Sequence, residues 1–245
     1  MTPAVVILAA GRGSRLAGDL PKWFIRVSGR TLAERQLDAL RAAGVERPLV
    51  VTGFRPELFE ADALGAELVH NADWATRNNW FSLAVALEHL AREGRDDAVC
   101  VLNSDLLVGP RVVQRFLDAA TVDPRSLLAV DHEAPRTDEQ MKVAVEHGQV
   151  VDIGKGELVA PAAGEYVGLA KLAAEDAFLL RAILDEFAAD PARTDEWYEG
   201  AFREAMRAGV EFGAVPVDPG RWIEIDDAAD LERAEAVAAL LEDED

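Results

Sequence analysis

The chain has 245 residues, 50% of them hydrophobic, and its 45 acidic and 25 basic side chains give a formal net charge of −20. This length and composition suit one α/β domain with a sizeable core, which we expect to span residues 1–245. Nucleic acids bind to basic faces, and the sequence has no dense run of Lys and Arg. A nucleic-acid partner is therefore excluded from the expected functions.

Two features predict a cytoplasmic setting without a membrane partner. Cys100 is the only cysteine and lies in the apolar run Ala98–Leu102, so neither an internal disulfide nor a thiolate metal cluster is expected. The N-terminal apolar run Val5–Ala10 has no basic region before it and is too short to cross a bilayer.

Short apolar runs alternate with helix-period segments in the first half of the chain. The predicted strands are Ala4–Leu8, Pro48–Thr52, Leu68–His70 and Ala98–Leu102. The predicted helices are Leu32–Ala43, Phe81–Arg92 and Val112–Ala120. This alternation indicates an α/β fold with a mostly parallel sheet.

The second half predicts additions to that sheet. Lys142–Glu146 and Val150–Ile153 flank a polar turn and read as a hairpin, so we expect a mixed sheet. Three further helices are predicted at about Ala173–Ala188, Glu196–Arg207 and Ala228–Leu240.

A glycine loop follows the first predicted strand, where small residues let backbone amides approach a phosphate closely. It reads Leu8-Ala9-Ala10-Gly11-Arg12-Gly13-Ser14-Arg15-Leu16. The third glycine of a dinucleotide fingerprint is missing, because Leu16 stands there, and the G-x-x-x-x-G-K-[ST] loop is also missing. Arg12, Arg15 and Lys22 put three cations within reach of one triphosphate. The alternative is a tight turn with solvated arginines.

These residues resemble the nucleotidyltransferase family with the signature L-A-A-G-x-G-S/T-R-L followed by P-K. The signature matches at Leu8, Ala9, Ala10, Gly11, Gly13, Ser14, Arg15, Leu16, Pro21 and Lys22. The resemblance implies a Rossmann-like, glycosyltransferase-A-type sheet flanked by helices, forming a single nucleotidyltransferase domain. It also implies that Lys22 and Arg15 act on the triphosphate in catalysis and that Leu8 to Ser14, Arg12 included, bind the nucleotide.

A second segment resembles the branch that includes bacterial phosphocholine cytidylyltransferases, which use CTP. Asn71–Leu83 follows its pattern N-x-x-Y/W…N-N-x-x-S-L, and the resemblance continues at Leu102–Asp105 and Ile223–Asp226. It implies that the pyrimidine or ribose contacts come from Asn78, Asn79, Ser82 and Ser104. Asn78, Asn79 and Ser82 are also suited to capping the helix from Phe81, and we expect both roles.

Carboxylates predict a Mg²⁺ site. Asp105 follows the Val99–Leu102 run, and open α/β sheets bind ligands at the carboxyl ends of their strands. Mg²⁺ takes one or two carboxylates together with phosphate oxygens, which Asp105 and Asp226 supply. If Trp222–Asp226 is extended, Glu224 shares a face with Asp226 and is a direct or outer ligand. An isolated aspartate at a strand end is more often a cap, but the resemblance favours ligation.

The chemistry implied is in-line attack of an acceptor oxygen on the α-phosphorus, with pyrophosphate leaving and no covalent intermediate. Both reactants are anionic, so Mg²⁺, Lys22 and Arg15 must offset their repulsion. The sequence shows no nucleophile and base pair of a hydrolase, and the four His have no metal-ligand spacing.

The acceptor is expected to be small. Trp197, Tyr198 and Asp195 are suited to part of an aromatic choline box. Choline is nevertheless disfavoured, because Gln140 stands where phosphocholine enzymes carry a tryptophan and Lys142 follows it.

Three stretches instead resemble cytidylyltransferases acting on 2-aminoethylphosphonate, related phosphonates or small polyol phosphates. They are Asp138–Val143, Ile153–Lys155 and Gly164–Gly168. Lys142 and Lys155 would hold the acceptor's anionic group, and an amine or hydroxyl would donate to Glu165 or Asp195, beside Trp197. Alternatively, both lysines are solvated on the outer face of the hairpin. The resemblance also allows a homodimer.

Three other functions are compatible with parts of the pattern. A sugar-1-phosphate nucleotidyltransferase using UTP, dTTP or GTP shares the glycine-loop signature. A noncatalytic nucleotide-sugar-binding or regulatory module would not need Lys22, Asp105 and Asp226 together. A glycosyltransferase usually has a D-x-D metal motif, whose nearest counterpart here is Asn103-Ser104-Asp105.

Overall fold

A nine-stranded mixed sheet forms the centre of the computed structural model, which describes residues 3–13, 16, 18–134 and 139–242. In spatial order its strands are β5 (Glu67–His70), β4 (Leu49–Thr52), β1 (Ala4–Ala9), β6 (Val99–Asn103), β11 (Ala162–Leu172), β8 (Ser126–Asp131), β12 (Phe212–Pro216), β10 (Gln149–Gly154) and β9 (Lys142–Glu146). Within the same ranges, two short antiparallel ladders lie outside it: β2 (Arg26–Val27) with β3 (Arg30–Thr31), and β7 (Leu106–Val108) with β13 (Trp222–Glu224).

The parallel half of the sheet is confirmed. β5, β4, β1 and β6 run parallel, and the apolar runs of β4, β1 and β6 are mostly buried, as expected for strands covered on both faces. The edge strand β5 is partly exposed. Leu8 of β1 lies opposite Asn103 of β6. Because both strands end there, the glycine loop and Asp105 emerge side by side at the same edge of the sheet.

The other half contains strands that local patterns did not predict. The β9 and β10 hairpin is confirmed, but β8, β11 and β12 were not predicted. β11 lies antiparallel between β6 and β8 and contains Gly164 and Gly168, a residue type with low strand propensity. Its pairing is irregular between Tyr166 and Ala170, around Gly168 at φ +85°. Pairing on both sides therefore imposes the strand despite its composition.

Helices cover both faces of the sheet, which confirms the Rossmann-like α/β class. Alternate residues of β1 face opposite cores: Val5 and Ile7 lie in one, and Val6 and Leu8 in the other. The first core packs against α1 (Leu32–Ala42), α4 (Pro110–Val122) and α7 (Ala228–Glu242). The second packs against α3 (Asn79–Arg92), α5 (Ala174–Ala189) and α6 (Tyr198–Arg207), and the four-residue α2 (Ala61–Leu64) links β4 to β5.

All predicted helices are present, with ends within two residues of those expected. Among the helices in the described ranges, none combines the length and the apolar character that a bilayer span requires.

Candidate active site

The loop after β1 holds Lys22 at the carboxyl edge of the sheet. Lys22–Phe24 forms one turn of 3-10 helix, and Gly13 adopts φ +63° beside it. A Cβ atom on Gly13 would lie 2.9 Å from the Lys22 Cβ, closer than real contacts allow. Glycine is therefore required at position 13 both for the left-handed backbone and for the approach of Lys22.

Two aspartates from distant segments hold the Lys22 ammonium. Its Nζ donates to Asp105 Oδ2 at 2.8 Å and to Asp226 Oδ1. Burial alone would lower the pKa of Lys22, but Asp105 and Asp226 outweigh it and hold that pKa above its usual value. Lys22 is therefore a permanent cation at neutral pH.

A third carboxylate completes the cluster. Asp105, Glu224 and Asp226 each place one carboxylate oxygen so that the three oxygens lie within 4.8 Å of one another. Although Glu224 is exposed, desolvation by the groups around it, then the charges of Asp105 and Asp226, raise its pKa well above the usual range.

The cluster fits a hard divalent cation. Asp105 Oδ1 is buried and has no hydrogen-bond partner among the described residues. A buried carboxylate oxygen without a donor is costly unless a cation satisfies it. Three converging carboxylates with one such oxygen match the oxygen ligands that Mg²⁺ prefers.

Backbone pairing brings the carboxylates together. β13 pairs with β7 so that Glu224 lies opposite Leu106, and Ile225 N donates to Asp105 O at 3.0 Å. Asp226 lies two residues before α7, whose first turn is capped reciprocally: Asp227 accepts from the Asp230 backbone, and Asp230 accepts from the Asp227 backbone. The carboxylates are thus fixed by a ladder and a helix cap.

A buried glutamine that the sequence did not single out ties the lysine turn to the aspartate corner. Trp23 Nε1 donates to Gln36 Oε1 at 2.9 Å, and Gln36 Nε2 donates to the carbonyl oxygens of Asn103 (2.9 Å) and Leu106 (2.7 Å). Trp23 and Gln36 are at most 1% exposed. Because Trp23 follows Lys22 and Asn103 and Leu106 flank Asp105, Gln36 sets the distance between the two charges.

Ala10, at the start of the glycine loop, packs against Gly53. Phe54 N donates to Ala10 O at 2.9 Å, and a Cβ on Gly53 would lie 2.6 Å from that oxygen. The exposed Arg12 guanidinium lies 5.2 Å from the Phe54 ring centroid. Ser14 and Arg15, predicted to bind nucleotide and triphosphate, lie outside the described residues.

The family model of the MobA-like NTP transferase domain matches residues 5–243 of this chain. The chain belongs to this family. A 2-C-methyl-D-erythritol 4-phosphate cytidylyltransferase from Cereibacter sphaeroides is 38% identical over 136 residues, which cover 53% of this chain and 59% of that protein. The aligned region is thus less than two thirds of the relative's length.

Solved structures extend the likeness to the whole MobA-like fold. The CTP:phosphocholine cytidylyltransferase of Streptococcus pneumoniae has a TM-score of 0.76 at 22% identity, covering 97% of this chain and all (100%) of that chain. A UDP-glucose pyrophosphorylase complexed with UDP-glucose has a TM-score of 0.74 at 14% identity, covering 98% of this chain and 100% of the other. At these identities the likeness concerns the fold.

In this MobA-like domain the two predicted asparagines join α3 to the segment before α6. Asn78 caps α3, and its Nδ2 donates to Asp195 O at 3.0 Å. Asn79 Oδ1 accepts from Tyr198 N at 3.0 Å. The capping part of the prediction is confirmed for Asn78, and the nucleotide contacts of both residues stay a prediction.

Ser82 lies deeper than a capping position. It is in the second turn of α3, 4% exposed, and its Oγ accepts from Asn71 Nδ2 at 3.0 Å. The Asn71 Oδ1 in turn accepts from Asp73 N at 2.9 Å. The predicted cap at Ser82 is therefore wrong, because its hydroxyl holds the Asn71 turn.

Ser104 is 7% exposed and lies between two fixed neighbours. Asp105 on one side binds Lys22. On the other, Asn103 Oδ1 accepts from Tyr198 Oη at 2.8 Å, and the Tyr198 and Tyr166 hydroxyls are 3.0 Å apart. This chain of hydrogen bonds fastens the end of β6 to α6 and β11.

The predicted acceptor residues gather at the β9 and β10 end of the sheet. Lys142 and Lys155 line one open groove of about 820 Å³ together with residues 156–162. The Lys155 Nζ lies 5.0 Å from the ring centroid of Trp197, which is 40% exposed. Asp195 is exposed before Trp197. Lys155 thus connects the groove with the Trp197 ring.

Glu165 lies in the sheet between acidic and basic neighbours. It is opposite Asp131 of β8 and Lys142 of β9, and is 9% exposed. Burial, followed by Asp131, raises its pKa to about 7 against the opposing effects of Gln140 and Lys155. Glu165 therefore keeps its proton in the folded protein at pH values where an ordinary glutamate has lost it.

Replacing Glu165 by glutamine should change how stability depends on pH. From about pH 5 to about pH 7 the folded protein holds a proton that the unfolded chain releases, so this glutamate makes stability fall as pH rises. Relative to wild type, the free energy of unfolding of Glu165→Gln should rise by about 1 to 3 kcal/mol across this range. Urea titrations at several pH values measure the difference.

Glu146→Gln, at the exposed end of β9, is the matched control and should show a constant difference from wild type. A constant difference for Glu165→Gln as well would show that Glu165 has no raised pKa.

Proposed function

We propose that this protein is a Mg²⁺-dependent cytidylyltransferase that moves CMP from CTP to a small phosphonate or alcohol phosphate, such as 2-aminoethylphosphonate, and releases pyrophosphate. The observation that carries the proposal is the Lys22 ammonium held by Asp105 and Asp226 beside the glycine loop. A cation and a carboxylate cluster at the carboxyl edge of an α/β sheet suit the binding of a metal and a triphosphate.

In the proposed reaction an acceptor oxygen attacks the α-phosphorus of CTP in line. The new O–P bond forms as the bond from the α-phosphorus to the bridging oxygen breaks, and that electron pair leaves with pyrophosphate. Lys22 offsets the charge that develops on the phosphoryl oxygens, and the backbone from Ala10 to Gly13 cradles the phosphates. Asp105, Glu224 and Asp226 would hold Mg²⁺, which supplies charge neutralisation of the triphosphate when bound.

The base preference has the weaker support. Two of the similar proteins reported above carry names that specify cytidylyl transfer, which favours CTP. The alternative is a sugar-1-phosphate nucleotidyltransferase using UTP, dTTP or GTP, which the likeness to the UDP-glucose pyrophosphorylase favours. The two activities differ in the base and in the acceptor, so substrates separate them.

A substrate panel tests the proposal. The purified protein, with Mg²⁺ and each of CTP, UTP, dTTP and GTP, should release pyrophosphate fastest with CTP and 2-aminoethylphosphonate or a small polyol phosphate. Phosphocholine and glucose 1-phosphate complete the acceptor panel. Preference for a hexose 1-phosphate with UTP or dTTP would support the alternative, and no pyrophosphate from any pair would contradict nucleotidyl transfer.

Lys22→Ala should keep the fold and lose most turnover. Removing one preorganised charge that stabilises a transition state costs about 100- to 1000-fold in kcat. The Mg²⁺ concentration at half-maximal rate should not rise, because the variant also removes the ammonium that binds Asp105 and Asp226. Initial rates at varied Mg²⁺ and CTP measure both effects.

The matched control is Lys171→Met. Lys171 is also buried, but its Nζ donates to Asp123 O. In the sheet it lies opposite Cys100, near the other end of β6 from Asp105. This variant should lower stability and leave kcat nearly unchanged. Equal loss of kcat in both lysine variants would refute the special role of Lys22.

Asp105→Asn and Asp226→Asn should each raise the Mg²⁺ requirement, because an amide keeps the shape of the side chain and loses its charge. We expect at least about a tenfold increase in the Mg²⁺ concentration at half-maximal rate, the scale reported for disturbed metal sites. Asp218→Asn, an exposed partner of Arg115, is the control. An unchanged Mg²⁺ titration in either site variant would remove that aspartate from the ligand set.

A further inference from the structure

Glu199 is a buried carboxylate that neither the family pattern nor the proposed reaction uses. It lies in the first turn of α6 and is 5% exposed. Its Oε2 is buried and has no hydrogen-bond partner among the described residues. An unpaired buried carboxylate oxygen costs stability, which indicates a partner that arrives with a ligand.

The first turn of α6 is held rigidly next to the reacting centre. Tyr198 N donates to Asn79 Oδ1 at 3.0 Å, and Tyr198 Oη donates to Asn103 Oδ1 at 2.8 Å, two residues before Asp105. Glu199 follows Tyr198 directly. A ligand group bound by Glu199 is therefore placed at a fixed distance from the end of β6.

A positive and a negative side chain both affect the pKa of Glu199. Burial raises its pKa to about 7, Lys155 opposes this rise and Asp105 adds to it. Lys155 lies over Trp197, two residues before Glu199. Lys155, which lines the acceptor groove, and Asp105 of the carboxylate cluster are thus both close enough to act on Glu199.

We propose that Glu199 binds a primary amine of the acceptor, whose natural class is then an amine-bearing phosphonate or phosphate ester. This inference rests on the proposed nucleotidyl transfer. Lys142 and Lys155 hold the anionic end, and the amine donates to the open oxygen of Glu199. A quaternary ammonium has no N–H group and would leave that oxygen unpaired, and a hydroxyl would leave the negative charge of Glu199 uncompensated.

Other acidic residues are less suited to this role. Within the described residues neither Glu165 nor Asp131 has a buried carboxylate oxygen without a partner, and Asp131 accepts from Trp222 Nε1 at 2.9 Å and from the backbone of Glu133. Asp195 is exposed. A solvated carboxylate contributes little net binding energy to an ion pair, whereas a dehydrated one contributes more.

Kinetics with two nearly isosteric acceptors test the assignment. With CTP and Mg²⁺, wild type should use 2-aminoethylphosphonate with a kcat/KM at least about tenfold above that for 2-hydroxyethylphosphonate. Glu199→Gln should raise the KM of the amine by about 10- to 100-fold and change the KM of the hydroxyl compound by less than about threefold. The KM of CTP and the Mg²⁺ requirement should stay unchanged.

Two further variants separate amine binding from a structural role. Glu199→Asp keeps the charge and should retain part of the amine preference. Glu196→Gln removes the same charge before α6 and should leave both acceptors unaffected. Equal KM increases for both acceptors in Glu199→Gln, a raised Mg²⁺ requirement, or a wild type that prefers the hydroxyl compound would each overturn the proposal.

Equilibrium binding distinguishes failure of this inference from failure of the proposed function. Calorimetric titration with 2-aminoethylphosphonate needs no turnover. Binding to wild type that weakens at least about tenfold in Glu199→Gln would support the amine site even if no nucleotide is transferred. Equal binding to both proteins, or none to wild type, would overturn the amine site whether or not nucleotidyl transfer is observed.

Discussion

The ion triplet of Lys22, Asp105 and Asp226 is the constraint on which the site depends. Its members come from the loop after β1, the end of β6 and the segment before α7, and they meet with Lys22 only 13% exposed as a side chain. A mostly buried ammonium without its carboxylates would be strongly destabilising. The same contact holds together the residues that a triphosphate and a divalent cation would need, so this part of the site is ordered by the fold.

Uncharged residues fix the positions of these three charged side chains. Gln36 joins Trp23 to the backbone on both sides of Asp105, and Gly13 lets the Lys22 side chain approach the loop. Beside the same end of β6, a Cβ on Gly168, whose φ is +85°, would lie 2.9 Å from Asn103 Nδ2, so glycine there lets β11 pass the end of β6. Substitutions at these positions would move charges without removing any.

Local sequence patterns predicted the elements and residues whose placement depends on neighbours in the sequence. The buried parallel strands, the hairpin and the helices follow from apolar periodicity, and Lys22, Asp105 and Asp226 from motif positions. β11 was missed because pairing with β6 and β8 overrides its glycines. Gln36 and Glu199 were missed because their importance comes from burial against residues far away in sequence. Ser82 was assigned to a cap because its burial against Asn71 has no local signal.

The charges of the site residues favour the binding of anionic substrates together with cations. Among the described residues, the carboxylates of Asp105, Glu199, Glu224 and Asp226 lie around the proposed substrates together with the cations Arg12, Lys22, Lys142 and Lys155. A triphosphate and a phosphonate add further negative charge to this site, which favours substrates that bring positive charge with them. Under the proposals made above, a divalent cation supplies it at the aspartates and an amine supplies it at Glu199. An acceptor that has only an anionic group would bind Lys142 and Lys155 but leave the buried carboxylate of Glu199 unpaired. Under the proposal, the site therefore favours a zwitterionic acceptor over a purely anionic one.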